Sequence, residues 1–175
     1  MLILRDMLPS DIEDYVRWFT EETEWSNWDA PWEPLEDSPE QVRKDWTARC
    51  RDLMAQPADR LRCRFELEAD GVHIGWVSAY TDLGELKNPQ NIPAIGIDIP
   101  EKQHRRCGYG KAALQQFIRY YKERGHRQLF TQTWSGNLPM IALAESLGFI
   151  EISRLKGIRE VGGKRYDALT FCLDL

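Results

Sequence analysis

The sequence lacks the features that mark several large classes of protein. Its 175 residues carry a formal net charge of −5, whereas a protein that binds nucleic acid in bulk presents a basic face. No apolar run approaches the roughly 20 residues that a membrane-spanning helix needs. Internal repeats and low-complexity tracts are also missing. We therefore expect neither bulk nucleic acid nor a membrane among the partners.

Cysteine and histidine are scarce, and their spacing argues against the common metal-binding patterns. The four cysteines include no C-x-x-C pair, and the three histidines stand apart from one another. We expect free thiols in a reducing compartment, no metal site and no catalytic histidine. The first residues show no basic stretch followed by a long apolar one, so we predict a cytoplasmic protein without a secretory signal.

What is present fits a single α/β domain over residues 1–175. A chain of this length with 42% hydrophobic residues can bury a sizeable core. Its hydrophobic periodicities predict the order strand, two helices, three strands, helix, strand, helix, two strands. Two capping boxes, one starting at Ser10 and one at Ser38, predict where the first two helices begin.

The most informative segment runs from Gln103 to Lys111. A strand-like apolar run precedes it, and a helical pattern follows at once. Gly108 and Gly110 allow a turn in which successive N–H groups point one way, and the helix adds unpaired N–H groups and the positive end of its dipole. Arg105 and Lys111 contribute full charges. The segment indicates a pyrophosphate site, although the pattern alone fits a basic surface turn equally well.

Motif comparisons indicate which kind of nucleotide the segment would bind. Neither G-x-x-x-x-G-K-[ST] nor G-x-G-x-x-G occurs, which argues against a triphosphate P-loop and a dinucleotide site. The R-x-x-G-x-G run from Arg105 to Gly110 resembles the acetyl-CoA signature of the GNAT acetyltransferase superfamily. The run from Asn137 to Phe149, in which an asparagine opens a helix that ends in L-G-F, resembles the second motif of that superfamily.

This resemblance implies a fold and an activity. The fold would be a mixed, strongly twisted central sheet flanked by helices, with a splayed pair of strands at the acetyl-CoA cleft. The activity would be acetyl-CoA-dependent transfer of an acetyl group to a primary amine, on a small molecule or a protein N-terminus. The W-x-x-N-x-x-M-I run from Trp134 resembles the RimJ/RimL-like group, and Gly96-Ile97-Asp98 resembles the aminoglycoside 6′-acetyltransferases. A homodimer is compatible with the superfamily.

The resemblance also assigns residues to the cofactor. A backbone N–H in the stretch from Ile97 to Ile99 would polarise the acetyl carbonyl, and Asn137 would hydrogen-bond the pantetheine arm. The pyrophosphate would be held by Arg105, Arg106, Gly108, Tyr109, Gly110 and Lys111.

Proton transfer has two candidate residues. Asp98 interrupts an apolar strand just before the phosphate loop, so we predict that it is the general base, with a hydrogen-bonded strand residue as the alternative. Many GNAT enzymes carry a tyrosine in L-Y-x-K-x-G-F that protonates the leaving thiolate, and Ala144 stands at that position here. Ser146 or water would serve instead, and a thiol with a pKa of about 8.5 can leave without a strong acid.

An acceptor wall is predicted from Trp28, Asp29, Trp32 and Glu33, which offer an apolar surface and carboxylates for a cationic amine. The alternative is that the tryptophans of this loop only pin it to the core. The sequence does not specify the acceptor. Two rival functions stay open: a non-catalytic acyl-CoA-binding module, and another enzyme class that uses the same loop for a different nucleotide.

Overall fold

The computed structural model describes residues 1–84, 86–88 and 90–175, which form helices around a seven-stranded sheet of order β1-β2-β3-β4-β5-β7-β6. The strands are Leu2–Arg5 (β1), Arg64–Ala69 (β2), Val72–Tyr80 (β3), Ala94–Asp98 (β4), Gln128–Trp134 (β5), Ile150–Val161 (β6) and Lys164–Asp174 (β7). The helices are Ile12–Thr20 (α1), Ser26–Asp29 (α2), Pro39–Met54 (α3), Tyr109–Glu123 (α4) and Leu138–Ser146 (α5). Over the described residues, none of these helices has the length and apolar character to cross a membrane.

The predicted order of elements is confirmed, with one addition and one correction. The addition is the single-turn helix α2. The Ser38 hydroxyl accepts the Gln41 N–H at 3.2 Å, as predicted for the start of α3. The capping box at Ser10 is wrong, because the chain enters α1 through a 3-10 turn that ends at Asp11. The buried Asp11 carboxylate accepts the Leu8 N–H at 2.7 Å and pairs with Arg5 at 2.7 Å, while Glu13 of the predicted box pairs with Arg43 instead.

Two helical layers cover opposite faces of the sheet. On one face, Phe117 of α4 and Ala144 of α5 pack in the main core with Val77. On the other face, Trp18 of α1 packs in a second cluster with Trp76 of β3. Asp98 lies opposite Trp76 in the antiparallel register of β3 and β4, so its side chain faces the α1 side of the sheet.

The parallel strands β4 and β5 separate soon after they meet. Their ladder contains one pair, Ala94 and Phe130, and the Phe130 N–H donates to the Pro93 carbonyl at 2.9 Å. The Thr131 hydroxyl then donates to the Ile95 carbonyl at 2.8 Å, where a regular ladder would use a backbone N–H. The splayed pair of strands expected at a cofactor cleft is therefore present.

A close backbone contact holds the end of β4 against β3. Gly75 lies at a bulge of β3, where Leu67 pairs with Gly75 but the next residue of β2, Glu68, pairs with His73. The φ of Gly75 is +150°, and a Cβ added there would lie 2.1 Å from the carbonyl oxygen of Asp98. Only glycine allows this approach. Gly75 therefore sets the position of the strand end that carries Asp98.

A buried network of charges joins β2 and β3 to α1. The two ring nitrogens of His73 lie 2.9 Å from Asp14 and 3.1 Å from Glu66, and Arg64 donates to Glu66 at 3.0 Å. Burial lowers the pKa of His73, but the hydrogen bonds to Asp14 and Glu66 and the charges of Glu66 and Asp11 outweigh it and raise the pKa to about 9. His73 is therefore a cation at neutral pH, and both ring N–H groups donate.

We predict that Gly75→Ala lowers the free energy of unfolding by about 2–4 kcal/mol, because the added methyl group meets backbone atoms that no rotamer change can clear. Urea unfolding measures this. The matched control is Gly163→Ala at the β6–β7 turn, where φ is +74° and nothing lies within 4 Å of the added Cβ. The control should lose only about 1–2 kcal/mol from the left-handed backbone. Equal losses at the two positions would contradict the argument.

We also predict that the free energy of unfolding falls as pH rises from 6.5 to 9. The folded-state pKa of His73 lies above its unfolded value of 6.5, so the stabilisation is complete below pH 6.5 and is lost as pH passes about 9. The loss should be about 3 kcal/mol in total. Urea unfolding at several pH values should show this slope in the parent protein and a much weaker one in His73→Gln. The same slope in both proteins would show that another group is responsible.

Candidate active site

The loop between β4 and α4 has the backbone shape of an anion site. After a 3-10 turn at Lys102–His104, Arg106 and Gly108 both take left-handed conformations, with φ of +59° and +85°. Helix α4 then begins at Tyr109, and its first intrahelical bond runs from the Ala112 N–H to the Gly108 carbonyl at 3.1 Å. The preceding N–H groups of the first turn therefore have no partner within the helix and are directed at its N-terminal end.

The basic side chains of this loop have different surroundings. Within the part of the chain that the structure describes, no carboxylate forms an ion pair with Arg106 or Lys111. Arg105, by contrast, donates from Nε to the Ile99 carbonyl at 2.7 Å, from Nη1 to Glu24 at 2.7 Å and from Nη2 to the Pro100 carbonyl. Arg106 and Lys111 are thus available to phosphate groups, whereas most donors of Arg105 are already used inside the protein.

The two glycines of the motif have different local roles. A Cβ at Gly108 would meet nothing within 4 Å, so the space in front of the loop is open to a ligand. A Cβ at Gly110 would lie 3.5 Å from Leu143 and 3.9 Å from Ile97, which is ordinary van der Waals contact. An alanine would therefore fit at Gly110, between α5 and β4, whereas the left-handed φ of Gly108 turns the backbone. These features fit a pyrophosphate and its attached chain.

The gap between β4 and β5 presents a free backbone N–H. The carbonyls of Pro93 and Ile95 face β5, and alternate residues of a strand face the same neighbour. Ile97 therefore directs its N–H and carbonyl towards β5, at a level where the ladder no longer pairs the two strands. This is the strand segment that the sequence predicted to polarise an acyl carbonyl.

The surroundings of Asp98 raise the pKa of its carboxyl group. Burial raises the pKa of its carboxyl group well above the usual value, and the charge of Asp29 raises it further. The charge of Arg64, a hydrogen bond from Trp76 and the charge of Arg105 act in the opposite direction without cancelling these effects. The Asp98 carboxylate is therefore more basic than a solvated aspartate.

A cavity of about 220 Å³ opens on the Asp98 side of the sheet. Asp29 is exposed at its mouth, and the surrounding protein atoms and the charge of Glu33 raise the pKa of Asp29. Tyr80 lines the same cavity, where burial and the charges of Asp29 and Asp98 raise its pKa to about 12. Asp29, Asp98 and Tyr80 thus interact electrostatically, and Arg159 adds a positive charge to the cavity wall.

The tryptophans of the α2 region divide between core and cavity. Trp25 is buried, and its indole N–H donates to the Trp18 carbonyl at 2.8 Å, so this tryptophan pins the loop to the core. Trp32 lines the cavity and meets Trp134 edge to face at 6.1 Å. Trp28 is 40% exposed, and its carbonyl accepts the Trp134 indole N–H at 2.8 Å. Trp25 therefore pins the loop to the core, Trp32 lines the cavity, and the role of the loop as an acceptor wall stays a prediction.

Asn137 joins the loop to the start of α5. Its side-chain oxygen accepts the Met140 N–H at 3.0 Å and caps the helix, and its amide N–H donates to the Trp28 carbonyl at 2.7 Å. One N–H and part of the oxygen's accepting capacity remain for a ligand. A Cβ at Gly136 would lie 1.8 Å from the Trp134 ring, so the turn before Asn137 is packed directly on a residue of the cavity wall.

Comparison with known proteins identifies the family. Residues 1–150 match the acetyltransferase (GNAT) domain. The chain belongs to the GNAT acetyltransferases. Members of this family are acetyltransferases that use acetyl-CoA, and the loop before α4 fits that co-substrate.

Three similar proteins show the range of the GNAT relatives. The candidate phosphinothricin acetyltransferase YwnH of Bacillus subtilis (strain 168) is 33% identical to this chain over 101 residues. The match covers 57% of this chain and 60% of that protein, so the chain spans about three fifths of this relative. The crystal structure of a candidate phosphinothricin N-acetyltransferase is 27% identical with a TM-score of 0.72, covering 100% of this chain and 99% of that one. RimL, the ribosomal L7/L12 alpha-N-protein acetyltransferase in complex with coenzyme A, is 16% identical with a TM-score of 0.76, covering 99% of this chain and 94% of that one.

Ala144 stands at the position where many GNAT enzymes carry a tyrosine. Ala144 is fully buried in the main core. Ser146 lies two residues on, about 200° further round α5, where its exposed hydroxyl donates to the Leu143 carbonyl at 2.9 Å. It shares a groove with Lys111 and Gln115 on the α4 side of the sheet, whereas Asp98 faces the α1 side. The choice between Ser146 and water as the proton donor therefore stays a prediction.

Sequence reasoning missed three residues of this site. Tyr80 and Trp134 are the last residues of β3 and β5, which lie on either side of β4 and run in opposite directions, so no local pattern indicated that both line one cavity. Glu24 had no local signal, since its partner Arg105 is 81 residues away in the sequence.

We predict that Gly108→Leu weakens coenzyme A binding at least tenfold, because the side chain fills the open space before the α4 N-terminus. Isothermal titration calorimetry measures the affinity. The control is Gly163→Leu, which places the same side chain on a left-handed backbone with equally open surroundings, far along the β6–β7 hairpin. Both variants should lose about 1–2 kcal/mol of folding stability. Unchanged affinity in Gly108→Leu would show that the ligand does not occupy this loop.

Proposed function

We propose that the protein is an acetyl-CoA-dependent N-acetyltransferase that acetylates a primary amine by direct attack in a ternary complex. The observation that carries this proposal is the arrangement around the splayed strands. Free N–H groups lie at the N-terminus of α4, and Asp98, whose carboxyl group has a raised pKa, lies on the α1 side of the sheet within reach of the charge of Asp29, which lines a cavity there. The gap between β4 and β5 would connect the two sides.

The cofactor side supplies binding and polarisation. Arg106, Lys111 and the free N–H groups from Gly108 to Lys111, with Tyr109 and Gly110 among them, would hold the pyrophosphate. Asn137 has one amide N–H left for the pantetheine arm. Acetyl-CoA supplies the thioester that donates the acetyl group. The Ile97 N–H faces the gap, and we assign it the role of polarising the acyl carbonyl, with Ile99 forming the adjacent backbone.

The acceptor side supplies charge and a base. Asp29 and Glu33 would attract the cationic form of the amine, and Trp28 and Trp32 would form the apolar wall. Asp98 would then take a proton from the amine, directly or through water, because its raised pKa brings its basicity closer to that of an amine. Its deprotonated form is the active one, so the rate should rise as pH passes the Asp98 pKa.

Three kinds of amine are candidate acceptors. The relatives' names include phosphinothricin, a small molecule, and the N-terminus of a ribosomal protein. The aminoglycoside 6′-acetyltransferases, which resemble the chain at Gly96-Ile97-Asp98, add a third candidate substrate. A cavity of about 220 Å³ with an acidic mouth admits a single amine-bearing arm in each case. An assay must therefore include all of these amines.

A non-catalytic acyl-CoA-binding module is the second candidate. The burial of Ala144 at the usual tyrosine position favours it, because the residues around the thioester side then offer no strong acid. The raised pKa of Asp98 opposes it, since a binding module has no need of a buried carboxyl group beside an acidic cavity.

We predict thiol release from acetyl-CoA with one class of amine from a panel of amino acids and phosphinothricin, polyamines, aminoglycosides and peptides with free N-termini. Asp98→Asn should lower kcat/KM about 10²–10⁴-fold, because the amide cannot accept the proton, and should leave coenzyme A affinity unchanged. The assay follows free thiol at several pH values.

The matched control is Asp82→Asn, which alters another carboxyl group of the same cavity and keeps the oxygen that accepts the Gly84 N–H at 3.0 Å. Its rate should change less than about threefold. An unchanged rate in Asp98→Asn would remove the base assignment. Coenzyme A binding without thiol release for any amine would favour the binding module.

A further inference from the structure

Arg105 and Glu24 connect the cofactor loop to the acceptor loop. The Arg105 guanidinium binds the carbonyls of Ile99 and Pro100, the two residues that follow Asp98, and its Nη1 donates to Glu24 at 2.7 Å. Glu24 belongs to the 3-10 turn just before α2. One side chain therefore holds the end of β4 and the start of the acceptor loop together.

Glu24 passes this connection on to the cavity wall. Its second oxygen accepts the Trp28 indole N–H at 3.1 Å. The Trp28 carbonyl in turn accepts from Trp134 at 2.8 Å and from Asn137 at 2.7 Å. A continuous set of hydrogen bonds thus runs from the residue after the cofactor strand, across α2, to the N-terminus of α5.

A second anchor lies beside the first but leads elsewhere. The Glu101 carboxylate accepts from Arg17 at 2.6 Å and from the Trp18 indole N–H at 3.1 Å. It fixes the start of the cofactor loop to the rigid helix α1. The link through Glu24 differs because its far end is the exposed segment from Asn27 to Asp29, which carries the predicted acceptor residues.

We propose that Arg105 and Glu24 are positioning residues that couple occupation of the pyrophosphate site to ordering of the acceptor loop. The proposal rests on the proposed function, since it takes the loop before α4 as the site of the cofactor. When the cofactor orders residues 106–111, Arg105 is ordered with them, and through Glu24 it holds Trp28 and Asp29 in place for the amine. Arg105 then acts through Glu24, without gripping the phosphates itself.

The contacts explain why Arg105 stays with Glu24 when the anion binds. Leaving Glu24 for the pyrophosphate would also strand the partly buried carbonyls of Ile99 and Pro100, which have no other donor within the described residues. Arg106 and Lys111 are nearer in sequence to the free N–H groups and form no ion pair with any residue that the structure describes. They can supply the charges that the phosphates need without breaking the link.

Hydrogen exchange of the full-length protein, with and without saturating coenzyme A, tests the coupling. Coenzyme A should slow exchange in residues 106–112 of the parent and also in residues 24–32, by about fivefold or more in the second segment. In Glu24→Gln the first segment should still be protected, whereas protection of 24–32 should fall below about twofold. The control is Glu13→Gln, which weakens an equally short 2.7 Å ion pair with Arg43 far from the site and should behave as the parent does.

The outcomes separate this proposal from the proposed function. Protection of 106–112 without protection of 24–32 in the parent would overturn the coupling and leave the cofactor site intact. Faster exchange in 24–32 on adding coenzyme A would show that Arg105 leaves Glu24 for the phosphates, which also overturns it. No protection in either segment would reject the cofactor site and the coupling together. The test compares exchange with and without coenzyme A in the same protein. A loss of stability in a variant affects both measurements alike, so a merely structural role of Glu24 would not change this ratio.

Discussion

The structure depends on the early separation of β4 from β5. A parallel pair in the middle of a sheet normally pairs along its whole length, because unpaired backbone groups in the interior are costly. Here the ladder stops after Ala94 and Phe130, and the Thr131 hydroxyl satisfies one of the freed carbonyls. Beyond this pair the Ile97 N–H points into the gap where the two strands no longer pair. The rest of the site is built around this gap.

The sheet also keeps opposite charges apart. The N-terminus of α4, with Arg106 and Lys111, attracts an anion, while Asp29 and Asp98 on the α1 side attract a cation. If these basic and acidic groups lay close together in water-accessible space, they would form ion pairs with one another and would no longer be free to bind ligands. Under the proposed function, each side of the sheet would bind one reactant, and the two would meet where β4 and β5 separate.

Local patterns predicted the fold well, and they failed where a distant partner competes with a local one. Helix positions, the turn at Gly148 and the Asn137 cap are set by neighbours within a few residues, and the structure confirms them. The Ser10 capping box is wrong, and Glu13, its fourth residue, pairs with Arg43, which is 30 residues away in the sequence. Gly75 gave no signal as a close-contact glycine, since the carbonyl it faces belongs to a strand more than twenty residues further along.

The sequence by itself determined the family and the chemistry of the cofactor loop, because a phosphate site made of consecutive N–H groups and a helix N-terminus lies within one short segment of chain. It also placed Asp98 and Asp29 as acidic residues of interest. Only the tertiary structure decided how these residues are used. The sequence could not show that Asp29 raises the pKa of Asp98, or that Arg105 binds Glu24, 81 residues away. Such pairings arise when separate loops meet over the splayed strands, and no local pattern encodes that meeting.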